Sequence, residues 1–411
     1  MKRWVSKTVW LRLTCLFCLG LVISLLWCGP SRVFKPQGPI STTELRGVWI
    51  TTLPSPVLYL PCNVRKTTQQ LAQHRFNTIY PNVWSRGYTL YPSKVAKAAM
   101  GQKQDPLLNL FRFRGDVLAE TVRQGHRQGL SVIPWFEYGL MVPQRSPLAR
   151  RHPEWLTRSR LPKPIQRPQS LLNKLQLWLL GGELVWLNPM QPQVQQFIVD
   201  LITEVVKTYP VDGIQLDDHF ALPVNLGYDP FTIERYRQEH GGKAPPTDPH
   251  EPEWMRWRAK QLTGLMRKIV QSVRAVKPDC LISLSPNSQA FAYRSSLQDW
   301  STWVSRGLID ELILQVYRPD LASFQAELRQ PAIQKAKQQI PVGVGIYTGS
   351  WRQRLPMKML TQQVQLARRM GFEGVSFFYW ESLWSYDWAE GRRQRQAGFK
   401  TLFAAPAKRP K

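Results

Sequence analysis

Short apolar runs alternate with helical patterns over most of this chain, and this alternation limits the fold more than any other feature. Strands are expected at residues 45–51, 77–84, 130–138, 213–217, 281–285, 311–316, 342–346 and 375–379. Helices are expected over about 65–75, 116–128, 193–208, 253–276, 324–338, 357–370 and 391–403. Alternating strands and helices form parallel sheets with crossover connections. Eight strands in this arrangement predict an α/β fold, a (β/α)₈ TIM barrel, over residues 44–403.

Two stretches interrupt the alternation. Residues 143–182, between the third and fourth strands, form a long insertion with eight Arg or Lys and one acid, Glu154, and they end in a Leu-rich run. We favour a lid or side helix packed on the barrel, and the alternative is contact with a membrane surface. Residues 241–252 are rich in proline and indicate a plain loop.

The N-terminus has the layout of an export signal. Residues 1–12 carry four basic side chains and no acid, an apolar run covers 13–27, and a Pro-, Gly-, Ser- and Thr-rich linker covers 28–43. We expect 1–27 to be a signal peptide or signal-anchor that contacts the membrane, and the protein to be exported to the periplasm or cell envelope. A lipidated Cys28 is less favoured, because Trp27 fits poorly before it.

The formal net charge of +27 predicts attraction to anionic partners, and residues 404–411 form a basic tail. We expect no nucleic-acid binding, because the chain has no RNP motif, zinc finger or basic-region helix. Cys62 and Cys280 are expected to be separate free thiols, with a bridge between them as the alternative. No Gly-x-Gly-x-x-Gly motif opens a helix and no P-loop is present, so we expect no nucleotide cofactor. We also expect no metal, and we expect the protein to be a monomer.

The active site of a TIM barrel lies at the carboxyl ends of its strands. In this chain three strand ends bring carboxylates and at least four bring aromatic rings. Glycoside hydrolysis needs one acid to protonate the leaving oxygen and one carboxylate at the sugar carbon. The residues at these ends are Thr51, Thr52, Asn82, Trp84, Trp135, Glu137, Tyr138, Asp217, Asp218, His219, Ser285, Asn287, Gln315, Tyr317, Arg318, Tyr347, Tyr379, Trp380 and Glu381.

The most informative of these ends is the pair Asp217–Asp218, which follows the fourth strand. Adjacent carboxylates repel, which raises the pKa of one of them, and successive strand positions point to opposite faces. We expect Asp217 to act directly on the substrate, and Asp218 either to share that role or to hold His219 or a nearby loop. The alternative for the pair is a helix cap or an ion pair with an Arg.

Glu137 and Glu381 are the other candidate catalytic residues. Aromatic neighbours in the sequence predict a raised pKa for each carboxyl, as a general acid requires, with Glu137 ahead of Glu381. A buried acid paired with Arg is the alternative. His219 has no His partner at metal-ligand spacing, so we expect it to form hydrogen bonds. The expected substrate-binding residues are Trp84, Asn82, Trp135, Tyr138, His219, Asn287, Tyr317, Tyr347 and Trp380.

Several segments together resemble one known family. They are ELRGVW at 44–49, NTIYPNVW at 77–84, HPEWL at 152–156, WLNP at 186–189, VDGIQLDDHF at 211–220, SLSPN at 283–287 and QVY at 315–317. With these segments the chain resembles the glycosyl hydrolase-like 10 family from about residue 44 to 403. The resemblance implies a TIM barrel, export, and glycosidase activity, with peptidoglycan glycan strands as the suspected substrate class.

The fourth-strand segment is also similar to the Asp-Gly-apolar-x-apolar-Asp pattern of amylase-type barrels, which places the nucleophile at Asp217. Those enzymes carry the acid after the fifth strand, where this chain has Ser285-Pro286-Asn287. The candidates for the catalytic acid are therefore Glu137, Asp218 and Glu381. A substrate-assisted route, in which an N-acetyl group of the sugar acts as the nucleophile, is a further alternative. We expect an exported hydrolase of an envelope polysaccharide. The alternatives are a non-catalytic carbohydrate-binding barrel and a basic binder of anionic surfaces.

Overall fold

The computed structural model describes residues 33–34, 42–52, 55–113, 115–161, 182–350, 355–384 and 390–410. The predicted signal or anchor at 1–27, most of the linker at 28–43 and the second half of the basic insertion lie outside these ranges. Within these ranges, no helix is both long enough and apolar enough to span a membrane. Export and membrane contact therefore stay predictions.

The predicted barrel is confirmed as a curled parallel sheet. Strands 1 to 8 of the barrel each pair in parallel with the next, and strand 8 pairs with strand 1 through Gly374↔Leu45. Strand 3 is in two pieces. In chain order the strands are Leu45–Ile50, Thr78–Pro81, Ser131–Val132 with Trp135–Phe136, Gly213–Asp217, Leu281–Ser285, Glu311–Gln315, Val342–Tyr347 and Gly374–Phe378.

The third strand is interrupted at Pro134, whose nitrogen has no hydrogen to donate to a neighbouring strand. The first piece pairs with strand 2 through Thr78↔Ser131, and the second pairs with strand 4 through Gln215↔Trp135. The backbone N–H of Gln215 donates to the carbonyl oxygen of Pro134 at 2.8 Å. The sheet therefore closes across the interruption, and the carboxyl ends of all eight strands meet at one mouth.

Helices cover the outside of the barrel where the sequence predicted them, with one exception. The predicted helix at 324–338 is two helices, because the chain turns after Leu328 and Pro331 starts a new helix, the position that proline favours. The outer helices are Asn63–Gln73, Val117–Arg127, Pro192–Thr208, Pro252–Val276, Leu321–Leu328, Pro331–Lys337, Met357–Arg369 and Gly391–Leu402.

Smaller elements that the sequence did not predict lie in the connections. They are the helices Lys94–Met100, Pro106–Phe111, Pro147–Arg151, Pro230–Glu239, Gln289–Ser296, Trp300–Ser305 and Trp380–Trp384, the short 3₁₀ helix Pro153–Trp155, and the antiparallel pair Trp84–Ser85 with Tyr88–Thr89. Most begin with proline or with a Ser or Asp cap, which satisfies the first free backbone N–H groups.

Buried polar groups in the barrel interior are joined by hydrogen bonds. The indole N–H of Trp49 donates to Gln215 at 2.7 Å, and the Gln215 amide donates to Ser283 at 2.9 Å. Ser283 and Tyr80 both donate to one carboxylate oxygen of Glu311, at 2.8 and 3.1 Å. Buried polar groups need such partners, and this chain of bonds connects the middle of the barrel to its lower end.

The two ends of the described chain pair below the barrel. Thr42–Thr43 forms a parallel pair with Ala407–Lys408, and the guanidinium of Arg409 forms an ion pair with the buried Glu311. The linker predicted to run through residue 43 therefore ends in a strand. Residues 404–410 of the predicted basic tail are part of the fold, because Arg409 supplies the cation that a buried carboxylate requires.

The base of the basic insertion packs on the barrel. Met141–Pro143 pairs with Leu184–Trp186, and the ring of Trp155 lies 5.7 Å from that of Phe197. These contacts place the base of the insertion against the barrel, whereas residues 162–181, which would complete the expected lid or side helix, lie outside the described ranges.

The cysteine predictions were wrong for Cys62. It is disulfide-bonded, whereas Cys280 is free and buried. The two therefore do not pair with each other, and they are not two free thiols.

Candidate functional site

Four side chains meet at the carboxyl ends of strands 3 and 4, and we call them the acid cluster: Glu137, Asp217, Asp218 and His219. The Nδ1 atom of His219 lies 3.5 Å from a carboxylate oxygen of Asp217 and 3.5 Å from one of Asp218. The same nitrogen lies 3.0 Å from the main-chain oxygen of Glu137. The structure thus brings together three of the four predicted catalytic carboxyl residues around one imidazole ring.

Asp217 is the most enclosed member, with 2% of its surface exposed. The indole N–H of Trp135 donates to Oδ2 at 2.5 Å, and the amide of Gln315 donates to Oδ1 at 3.3 Å. Alternation along strand 4 explains the position, because Gln215 already points into the barrel and Asp217 is two residues further on. Trp135, predicted to bind substrate, orients this carboxylate in the structure.

Asp218 lies half-buried beside it. Its Oδ2 accepts from the amide of Asn287 at 2.8 Å, and its Oδ1 accepts from Gln315 at 3.3 Å. Burial, together with the charge of Asp217, raises the pKa of the Asp218 carboxyl well above its usual range. The pair can therefore share a proton, as closely spaced carboxyl groups do.

His219 supplies the positive charge of the cluster. Burial alone would lower the pKa of its imidazole, but contact with Asp217 and the charges of Asp218 and Glu137 outweigh it and raise the pKa to about 10. Tyr138 stacks on the ring at 6.3 Å. The donor atoms of His219, Asp217 and Asp218 lie within 4.8 Å of one another, close enough to hold a metal ion. A metal would have to displace the imidazolium proton, because a protonated nitrogen has no lone pair to give.

Glu137 is held at the end of strand 3. Asn82 donates a short hydrogen bond to its carboxylate, and the hydroxyls of Thr51 and Ser85 lie 3.5 Å away. Burial raises the pKa of this carboxyl to about 7, although the charge of His219 and the bond from Asn82 oppose the rise. A carboxyl with this pKa is protonated in part of the molecules near neutral pH and can donate a proton.

Glu381 lies apart from the acid cluster, in the helix Trp380–Trp384. Among the described residues, none forms a well-oriented hydrogen bond with either of its carboxylate oxygens. Burial raises the pKa of this carboxyl to about 7, although the Ser55 hydroxyl opposes the rise. In the described part of the chain, no hydrogen bond or ion pair joins Glu381 to the cluster, so its predicted catalytic role has no geometric support.

Aromatic rings line the opposite side of the mouth. Tyr317 and Tyr347 both stack on Phe378, at 5.6 and 6.4 Å, and Phe378 lies 6.3 Å from Trp135. Burial, with the charges of Asp217 and its neighbour, raises the pKa of the Tyr317 hydroxyl well above its usual range. The sequence predicted the two tyrosines as sugar-binding residues, and the structure places both on one aromatic wall.

Two of the tryptophans predicted to bind substrate are buried in the core. Trp84 is fully buried, donates its indole N–H to Gly139 at 3.0 Å and packs on Phe197. Trp380 is buried against Trp384 at 5.7 Å. Large barrels bury many aromatic side chains, and these two stabilise the loops behind the mouth.

Sequence reasoning missed three residues beside the acid cluster. Trp186, Phe291 and Gln298 line a cavity of about 80 Å³ that Asp218 and His219 also line. None of the three follows a barrel strand directly, so a search of strand ends does not find them. Only Phe291 of these three stands out, because it is a large aromatic residue that is 57% exposed. It lies in the short helix Gln289–Ser296.

Comparison with known proteins identifies the family. The sequence model of the family described as glycosyl hydrolase-like 10 matches residues 44–367. The chain belongs to the glycosyl hydrolase-like 10 family. Among its relatives is the glycosyl hydrolase DigH of Escherichia coli K12, 27% identical over 337 residues that cover 70% of each chain. The glycosyl hydrolase YngK of Bacillus subtilis is 24% identical over 226 residues, which cover 49% of this chain and 39% of YngK.

Solved structures show the same fold as this glycosyl hydrolase-like 10 protein. The PgaB (BpsB) glycoside hydrolase domain from Bordetella bronchiseptica has a TM-score of 0.59 at 15% identity, over 82% of this chain and 94% of that one. The catalytic domain of β-amylase from Paenibacillus polymyxa has a TM-score of 0.55 at 11% identity, over 89% and 98%. At these identities the likeness is one of fold, a glycoside hydrolase barrel.

Proposed function

We propose that this glycosyl hydrolase-like 10 protein hydrolyses glycosidic bonds in an envelope polysaccharide, with peptidoglycan glycan strands as the first substrate to test. The observation that carries the proposal is the acid cluster at the mouth of the barrel. It combines carboxyl groups that keep a proton near neutral pH, Glu137 and Asp218, with the hydrogen-bonded Asp217. Glycoside hydrolysis needs one carboxyl group that donates a proton and a second carboxylate at the sugar carbon.

The roles follow from the surroundings of each group. Glu137 donates the proton to the leaving oxygen, because its carboxyl is protonated in part of the molecules near pH 7. Asp217 stabilises positive charge at the sugar carbon or attacks that carbon, and Trp135 and Gln315 hold it in place. His219 keeps the carboxylates together by carrying the opposite charge.

An envelope location is supported by three separate features. The sequence begins with a basic and then apolar segment, which is typical of export. Cys62 is disulfide-bonded, and disulfides form and persist in oxidising compartments outside the cytosol. The net charge of +27 favours binding to anionic wall polymers.

The deciding experiment is the Asp217→Asn variant, assayed for release of sugar fragments from purified peptidoglycan glycan strands. We expect a loss of at least about 100-fold in rate, as for other groups that act directly in the transition state. Asp279→Asn is the matched control, because it makes the same change at the exposed lower end of the barrel. Full turnover by the Asp217→Asn variant would exclude the assignment.

A non-catalytic carbohydrate-binding barrel is the second candidate. It is favoured by Asn287, which stands after strand 5 where amylase-type barrels carry their acid, and which donates to Asp218. This candidate predicts binding of the glycan strands without any product between pH 4 and 9. Release of fragments by the parent protein at any of these pH values excludes it.

A further inference from the structure

The described base of the basic insertion forms one wall of a groove beside the mouth of the barrel. This groove has a volume of about 350 Å³ and is lined by Arg158, Arg160 and Trp186, and we call it the arginine groove. Trp186 also lines the smaller cavity that Asp218 and His219 line. A chain bound at the acid cluster can therefore extend past Trp186 into the arginine groove.

The segment that carries the two arginines is fixed by its main chain. The N–H of Thr157 donates to the carbonyl oxygen of Trp186 at 3.0 Å, and the carbonyl oxygen of Arg158 accepts from the N–H of Tyr228 at 2.9 Å. These bonds join the segment to a neighbour on each side. A ligand therefore does not have to order this backbone when it binds, which removes one of the costs of binding.

Neither arginine of the groove has an anionic partner in the part of the chain that the structure describes. Both side chains are exposed, and neither guanidinium group forms an ion pair or hydrogen bond there. By contrast, the guanidinium of Arg318 pairs with Glu327 at 2.6 Å. A guanidinium group offers five N–H donors in a planar fork that matches a carboxylate, so these two are available to an anionic ligand.

Other charges near the groove are one cation and one acid. Glu183 lines the groove, and its main-chain oxygen accepts from Gln144 at 2.7 Å. The side chain of Arg145 packs on the neighbouring Gly182, where an added Cβ atom would lie 3.4 Å from its Cγ. Three cations against one acid favour an anionic ligand. A recessed groove that continues from the mouth fits a glycan strand better than it fits a flat lipid surface.

We propose that the arginine groove binds a carboxylate of the same glycan strand that is cleaved at the acid cluster. Arg158 and Arg160 donate to the carboxylate oxygens, and Trp186 contacts the sugar that lies between the two sites. Charge-assisted hydrogen bonds of this kind are about twice as strong as neutral ones. The inference rests on the proposed function, and it names the substrate class as acidic glycans with carboxylate-bearing sugars.

The test measures binding to the Asp217→Asn variant, so that no substrate is consumed. Isothermal titration compares acidic glycan strands before and after methyl esterification, which removes the charge of each carboxylate and leaves the other sugar substituents unchanged. We expect the unmodified strands to bind at least about tenfold more tightly at low salt. This preference should shrink as the salt concentration rises, because salt screens exposed charges.

Arginine variants locate the preference. In the same background, Arg158→Gln/Arg160→Gln should weaken binding of the unmodified strands by about tenfold and leave binding of the esterified strands unchanged. Arg306→Gln/Arg329→Gln is the matched control, because it removes two exposed cations outside the groove and lowers the net charge equally. If the protein turns over the strands, the groove variant should raise KM and leave kcat unchanged.

A variant of opposite sign separates charge from structure. Glu183→Gln removes the acid of the groove, so it should tighten binding of the unmodified strands by about two- to threefold. A groove that acted only by packing would not respond in opposite directions to the loss of a cation and the loss of an acid.

The outcomes separate this inference from the proposed function. Equal binding of the two kinds of strand, or an equal loss in the groove variant and its control, overturns the arginine groove as a carboxylate site. A groove variant that loses binding only to phosphatidylglycerol vesicles also overturns it and assigns the groove to lipid. Preference without turnover by the parent protein supports the groove and counts against the hydrolase, whereas turnover without preference does the reverse.

Discussion

Glu137 and Glu381 both have a carboxyl whose burial raises the pKa to about 7, yet their surroundings differ. The Glu137 carboxylate accepts a hydrogen bond from Asn82, and its main-chain oxygen contacts His219, whereas the Glu381 carboxyl has only the Ser55 hydroxyl beside it among the described residues. A raised pKa therefore identifies a possible proton donor, and the contacts show which of the two belongs to the acid cluster.

Replacing Glu137 with Gln should remove the proton donor while keeping the shape of the site. On natural glycan strands we expect a loss of about 100-fold or more. On an aryl glycoside with a dinitrophenol leaving group the loss should be much smaller, because that group leaves without protonation. Steady-state kinetics on both substrates, with Asp279→Asn as control, check this. Equal losses on both substrates would contradict the assignment.

Glu381→Gln should change the pH dependence of stability. Below pH 4.5 the carboxyl is protonated in both the folded and the unfolded chain. As the pH rises towards 7, the unfolded chain loses this proton while the folded chain keeps it, so the folded state is progressively destabilised. A rise in pKa from 4.5 to about 7 corresponds to about 3 kcal/mol.

Urea unfolding of the parent and the Glu381→Gln variant at pH 4.5 and pH 8 measures this effect. The variant should gain about 2–3 kcal/mol relative to the parent between the two pH values. The parent–variant difference cancels the contribution of Glu137, which both proteins share. An unchanged difference between pH 4.5 and pH 8 would show that Glu381 is not held protonated by the fold.

The sequence predicted the acid cluster because strand ends can be read from apolar runs, and Asp217, Asp218 and Glu137 stand at such ends. It placed Glu137 only slightly ahead of Glu381, since both have aromatic neighbours in sequence. The position of Gln298 could not be predicted from the sequence, because it depends on how a short connection folds back against strand 4.

At the scale of elements, the loops after strands 3 and 4 are packed directly together. Gly139 lies at their contact with a positive φ of 47°, and a Cβ atom added there would lie 2.4 Å from the backbone nitrogen of Phe220. The N–H of Leu140 donates to the carbonyl oxygen of His219 at 3.1 Å. The position of His219 in the acid cluster therefore depends on the shape of the neighbouring loop.

Gly139→Ala should accordingly affect both stability and activity. The backbone conformation alone costs about 1–2 kcal/mol, and the clash adds to it by moving the His219 loop. We expect kcat to fall by about tenfold or more, since small displacements of a catalytic group have large effects. Gly129→Ala is the control, because Gly129 has a φ of 73° and open space around it. The Gly129→Ala variant should lose a similar free energy of unfolding, but its kcat should be unchanged.

Most elements were predicted and the exceptions have local causes. The apolar run at 130–138 predicts one strand, but Pro134 interrupts it. The piece before Pro134 pairs with strand 2, and the piece after it pairs with strand 4. The helical pattern at 324–338 continues across Pro331, where the structure starts a second helix. The short helices in the connections have too few residues to show a periodic pattern, so they follow from tertiary contacts.

At the scale of the whole molecule, the chain ends close the lower side of the barrel. Glu311 is buried with 3% exposure, and Arg409 is its cationic partner. Arg409→Met should destabilise the protein by about 3 kcal/mol, because removing one member of a buried pair leaves the other charge unpaired. Tyr80 and Ser283 still donate to Glu311, which keeps the loss at the lower end of the expected range.

Thermal or urea unfolding measures this loss, and the double variant Arg409→Met/Glu311→Gln should recover most of it. Arg329→Met, at an exposed position, is the control and should change stability by less than about 0.5 kcal/mol. If the single and double variants were equally destabilised, the tail would contribute through packing and not through its charge.

The pairing of Thr42–Thr43 with Ala407–Lys408 also determines orientation. These strands lie at the amino ends of the barrel strands, so the chain before Thr42 enters on the side away from Asp217. An affinity tag attached after the 407–408 strand would accordingly project from the side opposite the mouth, and it would leave the opening accessible to a bulky glycan.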